Sequence, residues 1–164
     1  MAWLVPVAGN LLHHAVEMIL KGELSKKLSL EDIKKNYGHD LAKTWPAFKA
    51  LHPSEDLSRF DQLIAELDHF EKIRYPDEIL KKGAAMSLGF VGAEARPLLR
   101  RSVGQISPEY TLPVKEVDAL VARLFTVCRI NPPAYFGGMN AEATRFLQHK
   151  NSEYEGWVPS PTQS

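Results

Sequence analysis

Apolar residues recur at helical spacing at the start of the chain. Leu4, Ala8, Leu11, Ala15 and Ile19 are three or four positions apart and therefore fall on one side of a helix. This pattern predicts a first helix over roughly residues 3–22, starting at Trp3 or just after Pro6. The other side of this helix carries polar residues at the same spacing, namely Asn10, His13, His14, Glu17 and Lys21. The first helix therefore has a distinct polar stripe.

Residues that begin and end helices divide the next part of the chain. Ser29 is placed to cap a short helix that ends near Gly38, since serine accepts a backbone N–H and glycine adopts the left-handed conformation. Asp40 caps a following helix, which Pro46 would kink or restart. Ser54 is predicted to cap a further helix with Glu55 and Asp56 in its first turn. The apolar stripe of that helix continues to about residue 74.

Two more helices are predicted in the second half. One follows Pro113 and ends before residues 131–133, and the last is capped by Asn140. Glycine and proline punctuate residues 81–112, where a small helix, a strand pair or an ordered loop all remain open. Residues 155–164 are rich in glycine, proline and serine and are predicted to be a disordered tail.

These elements predict an all-α fold. We expect a four- to five-helix up-and-down bundle that forms a single domain over residues 1–154, with an irregular insertion around 81–112. A chain of 164 residues is long enough for one hydrophobic core and short for two.

Composition narrows the function only a little. The formal net charge is zero, so no global electrostatic attraction to nucleic acid or to an anionic membrane is expected. The N-terminus has the features of neither a signal peptide nor a membrane span, so a cytoplasmic protein without membrane contact is the default expectation. The single cysteine, Cys128, cannot form an intramolecular disulfide and is predicted to be a buried apolar residue.

Charge is unevenly distributed along the chain. Residues 53–80 hold eight acidic against three basic residues, whereas residues 81–107 are basic, with Glu94 as their acidic residue. The basic residues of the second segment are Lys81, Lys82, Arg96, Arg100 and Arg101. They either pack on the acidic helix, or are solvated, or form a surface that contacts phosphate groups of RNA or of a nucleotide.

Metal and cofactor chemistry has little support in the sequence. A di-metal site in a helical bundle needs Glu-x-x-His motifs on facing helices, and Glu66 with His69 forms one such motif without a second. We therefore predict neither a metal site nor a cofactor. Asp40 is expected to act as a helix cap, whereas His39 could join the polar stripe of the first helix.

Three short segments resemble the HEPN superfamily of helical bundles. They are residues 14–22 (HAVEMILKG), 37–41 (YGHDL) and 74–76 (RYP), and the resemblance covers roughly residues 8–80. It implies a bundle of four or five helices that is often dimeric. It also marks six positions that either hold the fold or line a cleft shared in the family, namely Glu17, Lys21, His39, Asp40, Arg74 and Tyr75. Together with His13 and His14 of the polar stripe, these residues form the candidate polar cluster.

The resemblance also implies a choice of functions. Many HEPN proteins are metal-independent ribonucleases or toxins, and some pair with a small nucleotidyltransferase. The ribonucleases use an arginine, four to six further residues and then a histidine, whereas Arg145 and His149 have three residues between them. No catalytic residue is therefore assigned. We expect an interaction module that binds itself, a protein partner, RNA or a nucleotide. The alternative is a metal-independent ribonuclease or toxin with a rearranged site.

Overall fold

The protein is mostly helical, which confirms the all-α prediction. The computed structural model describes residues 4–71, 85–89, 109–131, 138, 140–148 and 153. The chain divides into two compact units, Met1–Val114 and Lys115–Ser164. The single domain over 1–154 stays a prediction, and the tail at 155–164 lies outside the described residues. Among the described helices, none combines the length and the hydrophobicity that a membrane crossing requires.

The first helix, α1, spans Leu4–Leu24 and contains 21 residues. It ends two positions beyond the predicted Gly22, and Trp3 lies outside the described residues. Its side chains Val16, Leu20 and Leu24 are buried. A long helix with one buried side can present its polar stripe to neighbouring elements. The location of this stripe on α1 decides where the candidate site lies.

The next two helices begin and end as predicted. α2 spans Leu30–Tyr37, with the Ser29 side chain accepting the backbone N–H of Asp32, and Gly38 follows it with a φ of 50°. α3 spans Leu41–Leu51 and is capped by Asp40. Pro46 lies inside α3, so the alternative of a helix restarting at this proline is wrong.

The predicted start of the fourth helix is wrong. Ser54 does not cap it: the backbone N–H of Glu55 donates to the carbonyl of His52 at 3.0 Å, within a turn. The carboxylate of Asp56 instead accepts the backbone N–H of Ser58 at 3.1 Å. A 3-10 turn, Ser58–Phe60, then leads into α4, Asp61–Glu71. Several residues after Pro53 could cap a helix, and the local sequence did not show which one does so.

Helices α1, α3 and α4 contact one another and form the core of the first unit, with α2 against α3. The buried side chains Phe48, Leu67 and Phe70 have no exposed surface. The ring of Phe70 lies directly over the backbone of Gly9 in α1, where an added Cβ atom would overlap it. A glycine at this position therefore lets α1 and α4 approach closely.

The segment around residues 81–112 contains a strand pair, one of the three alternatives left open by the sequence. β1, Ala85–Gly89, pairs in parallel with β2, Glu109–Pro113, and Ala85 lies opposite Glu109. β1 contacts α1 and β2 contacts α4. The intervening residues 90–108 lie outside the described part of the chain.

The second unit contains two described α-helices. α5 spans Val114–Cys128, directly after Pro113, and α6 spans Ala141–Gln148. The side chain of Asn140 accepts the backbone N–H of Ala143 at 2.8 Å, as predicted for the cap of the last helix. Cys128 is buried, which confirms the prediction for this residue.

Candidate functional site

The carboxylate of Glu17 is the centre of a polar cluster in the first unit. Its Oε2 atom lies 3.0 Å from Nδ1 of His14. Its Oε1 atom accepts a hydrogen bond from Nζ of Lys21 at 2.5 Å. The Nδ1 atom of His39 lies 3.0 Å from Oε1 and 3.2 Å from Oε2. Glu17 itself is only 2% exposed, so these partners replace water around the charge.

Local sequence explains most of this arrangement. His14, Glu17 and Lys21 are three and four positions apart on α1 and therefore lie on neighbouring turns of one face. His39 comes from the link between α2 and α3, directly after Gly38 with its positive φ. Lys21 also donates a hydrogen bond to the carbonyl of Gly38, which ties this link to α1.

His13 is the innermost of these polar side chains and is completely buried. Its Nδ1 atom is 3.1 Å from the carbonyl oxygen of Leu67, and its Nε2 atom is 3.1 Å from the carbonyl oxygen of His39. The same Nε2 atom lies 3.9 Å from Oε2 of Glu17 and 3.9 Å from Oε2 of Glu71. His13 thus joins α1 to α4 and to the link before α3. We refer to Glu17, His13, His14, Lys21 and His39 as the Glu17 cluster.

The carboxylate of Glu17 is ionised at neutral pH. Burial raises its pKa, but hydrogen bonds from Lys21, His14 and His39, together with the charge of Lys21, outweigh this effect. The pKa falls from 4.5 to about 2 as a result. Glu17 therefore supplies a fixed negative charge that orients the two imidazole rings next to it.

The imidazole rings, rather than the carboxylate, form the outer surface of the cluster. The side chain of His39 is 61% exposed and that of His14 is 33% exposed, whereas that of Glu17 is 3% exposed. The rings of His14 and His39 are nearly perpendicular, with centroids 5.8 Å apart. A ligand approaching this surface would meet two imidazoles held in place by one buried carboxylate.

The structure brings together five of the eight candidate residues, the members of the Glu17 cluster. Asp40 lies next to His39 in sequence but caps α3, where its carboxylate accepts the backbone N–H of Lys43 at 2.9 Å. Arg74 and Tyr75 lie outside the described residues. The same is true of all the candidate phosphate-contacting residues, Lys81, Lys82, Arg96, Arg100 and Arg101.

Two contributions to the site were not among the candidate residues. Glu71, at the end of α4, lies near His13, and the amide nitrogen of Asn10 donates a hydrogen bond to the carbonyl of Phe70 at 3.1 Å. Asn10 belongs to the predicted polar stripe, so its spacing on α1 could have indicated it. Glu71 carries no such signal, because its proximity to His13 depends on how α1 and α4 pack.

Part of the Glu17 cluster has a spacing that metal ions use. One ligating atom from each of His13, His14 and Glu17 can be chosen so that all lie within 4.8 Å of one another. Glu66, which formed the single Glu-x-x-His motif with His69, instead accepts a hydrogen bond from Gln62 at 3.0 Å. The residues with metal-ligand spacing are therefore different from those that the sequence motif indicated.

The HEPN resemblance of residues 14–22, 37–41 and 74–76 stays a prediction, and the last of these segments lies outside the described residues. No protein-family model, no curated protein and no solved structure matches this chain.

Proposed function

We propose that this protein is a non-catalytic interaction module that associates with a second copy of itself through the exposed face of α1. The observation that carries the proposal is a row of large apolar side chains on this face. Val7 is 57% exposed, Leu11 is 65% exposed and Met18 is 70% exposed. Leaving these side chains in water is unfavourable, and burying them against another chain recovers that free energy.

The row has the spacing of a helix–helix contact. Leu11 follows Val7 by four positions and Met18 follows Leu11 by seven, so the three side chains lie along one side of α1. Ala15 is exposed beside them and is small enough to let another helix approach. The buried residues of α1 lie on the opposite side, so this face is separate from the core of the first unit.

A second copy of the chain is the partner that fits this face best. Two identical apolar rows can pair about a two-fold axis, because each presents the same surface to the other. At 1.5 Å per residue, α1 is about 31 Å long, which provides a contact along several turns. The formal net charge of zero adds no long-range repulsion between two copies.

Replacing Leu11 by glutamate is expected to separate the two copies, because a carboxylate would be buried in an apolar contact. The matched control is Leu30→Glu, since Leu30 is also an exposed leucine but lies on α2. Sedimentation velocity over a range of protein concentrations measures the outcome. We expect a dimer for the wild type and for Leu30→Glu, and a monomer for Leu11→Glu. A wild-type chain that remains monomeric at high concentration would reject self-association and favour a different protein partner.

A metal-independent ribonuclease is the second candidate, and the geometry of His39 favours it. Glu17 holds this ring through Nδ1, at 3.0 Å, and the side chain is 61% exposed. Its Nε2 atom is then the nitrogen left to take or give a proton, as in carboxylate–histidine pairs of acid–base enzymes.

Cleavage of RNA in the presence of EDTA tests this second candidate. If His39 is the acid–base group, His39→Ala abolishes cleavage while circular dichroism shows a folded chain. The control His69→Ala removes an exposed histidine of α4 and should cleave like the wild type. The interaction module predicts no cleavage by any of the three proteins, even at high enzyme concentration.

A further inference from the structure

Three histidine nitrogens surround a single carboxylate oxygen in the Glu17 cluster. Oε2 of Glu17 lies 3.0 Å from Nδ1 of His14 and 3.2 Å from Nδ1 of His39. It lies 3.9 Å from Nε2 of His13. A set of imidazole nitrogens with one carboxylate oxygen is a common ligand set for zinc and for neighbouring transition metals.

These distances fit the size of a tetrahedral metal site. Zinc bonds to histidine nitrogen and to carboxylate oxygen measure about 2.0–2.2 Å, so two ligands of one tetrahedral ion lie roughly 3.3–3.5 Å apart. The three distances from Oε2 of Glu17 lie on both sides of this range. The chosen ligand atoms of His13, His14 and Glu17 are all within 4.8 Å of one another.

The surrounding contacts hold the ligands in the required orientation. Nδ1 of His13 lies 3.1 Å from the carbonyl oxygen of Leu67, and metal-bound histidines commonly donate their second nitrogen to such a carbonyl. Lys21 donates a hydrogen bond to Oε1 of Glu17, whereas His14 and His13 lie against the other oxygen, Oε2.

The surroundings of His13 call for a positive charge at Nε2. If Nδ1 carries the proton and donates to Leu67, the Nε2 lone pair faces the carbonyl oxygen of His39 at 3.1 Å. It also faces carboxylate oxygens of Glu17 and Glu71, each at 3.9 Å. Three oxygen atoms around this nitrogen make the position electrostatically favourable for a metal cation.

We propose that the Glu17 cluster binds one divalent transition-metal cation of the zinc class through Oε2 of Glu17, Nε2 of His13 and Nδ1 of His14. The nitrogen-rich ligand set excludes magnesium and calcium, which take oxygen ligands. The sequence did not indicate this site because it lacks a repeated Glu-x-x-His motif. The site goes beyond the proposed self-association and does not depend on it.

Calorimetric titration of the untagged, EDTA-treated and dialysed chain with zinc chloride tests the proposal. We expect one zinc ion per chain and no heat of binding with magnesium chloride. His14→Ala should weaken zinc binding at least tenfold and abolish the rise in Tm that zinc gives the wild type. The matched control is His69→Ala, which removes a histidine outside the cluster and should bind like the wild type.

A second variant keeps the test independent of folding. Glu17→Gln removes the charged ligand, and its zinc affinity is interpreted only if its circular dichroism matches the wild type. If that variant unfolds, replacement of the partly exposed His14 by alanine provides the comparison. No stoichiometric zinc binding by the folded wild type, or equal binding by the wild type and His14→Ala, would overturn the proposal.

Discussion

Glu17→Gln will lower the free energy of unfolding by about 2–3 kcal/mol at neutral pH. The fall of the Glu17 pKa from 4.5 to about 2 means that the folded state favours the ionised carboxylate over the protonated one. Each pKa unit corresponds to about 1.4 kcal/mol, so a fall of about 2.5 units gives roughly 3.5 kcal/mol as an upper value. We discount this value because His39 and part of His14 are open to solvent, which screens their interaction with Glu17.

The pH dependence of this effect has a definite sign. A folded-state pKa below the unfolded one contributes stability that is present above about pH 4.5 and is lost as the pH falls towards 2. The stability difference between the wild type and Glu17→Gln should therefore narrow steadily across that window. Urea denaturation at a series of pH values, at one protein concentration and in the presence of EDTA, measures it.

The control for this series is Glu66→Gln on α4. The carboxylate of Glu66 accepts a hydrogen bond from the neighbouring Gln62 and is not part of the Glu17 cluster, so the expected change is within about 0.5 kcal/mol. A Glu17→Gln variant as stable as the wild type at neutral pH would show that the hydrogen bonds of Glu17 contribute nothing net. If the stability difference between the wild type and Glu17→Gln stayed constant down to pH 2, the carboxylate charge would not be the source of that difference.

The parts of the fold that the sequence predicted well are those decided by neighbouring residues. Ser29, Asp40 and Asn140 each accept a backbone N–H three positions ahead, and such a contact depends on little beyond the local chain. The apolar stripe of α4 was also predicted, since Ile64 and Leu67 are buried. Ser54 failed as a cap because the helical segment begins later, with a 3-10 turn at Ser58 that has no side-chain cap.

Contacts between distant segments were beyond the sequence pattern. The parallel pairing of β1 with β2 joins residues far apart in the chain. The pattern of residues within either strand does not indicate which segment it pairs with. In the Glu17 cluster, the contacts of Glu17 with His14 and Lys21 follow from helical spacing. The contacts of His39 with Glu17 and of His13 with Leu67 depend on how three elements pack.

The second prediction concerns the close approach of α1 and α4. Gly9→Ala should destabilise the protein by about 1–3 kcal/mol or more, because overpacking forces neighbouring groups out of place. An added Cβ atom at Gly9 would overlap the ring of Phe70, which is fully buried and cannot turn into solvent. Thermal and urea unfolding at one protein concentration provide the measurement.

Gly22→Ala is the matched control, since Gly22 lies on the same helix and an added Cβ atom there meets nothing within 4 Å. Alanine favours a helix over glycine by up to about 1 kcal/mol, so this variant should be more stable than the wild type. Both substitutions carry the same gain in helix propensity, and the difference between their stabilities therefore isolates the contact with Phe70.

Phe70→Leu combined with Gly9→Ala should recover part of the stability lost in Gly9→Ala, as expected for residues in direct contact. Equal stability of Gly9→Ala and Gly22→Ala would mean that α1 and α4 do not meet at Gly9. The positions of His13 and Glu71 relative to each other would then also have to be revised, because they depend on the same helix packing.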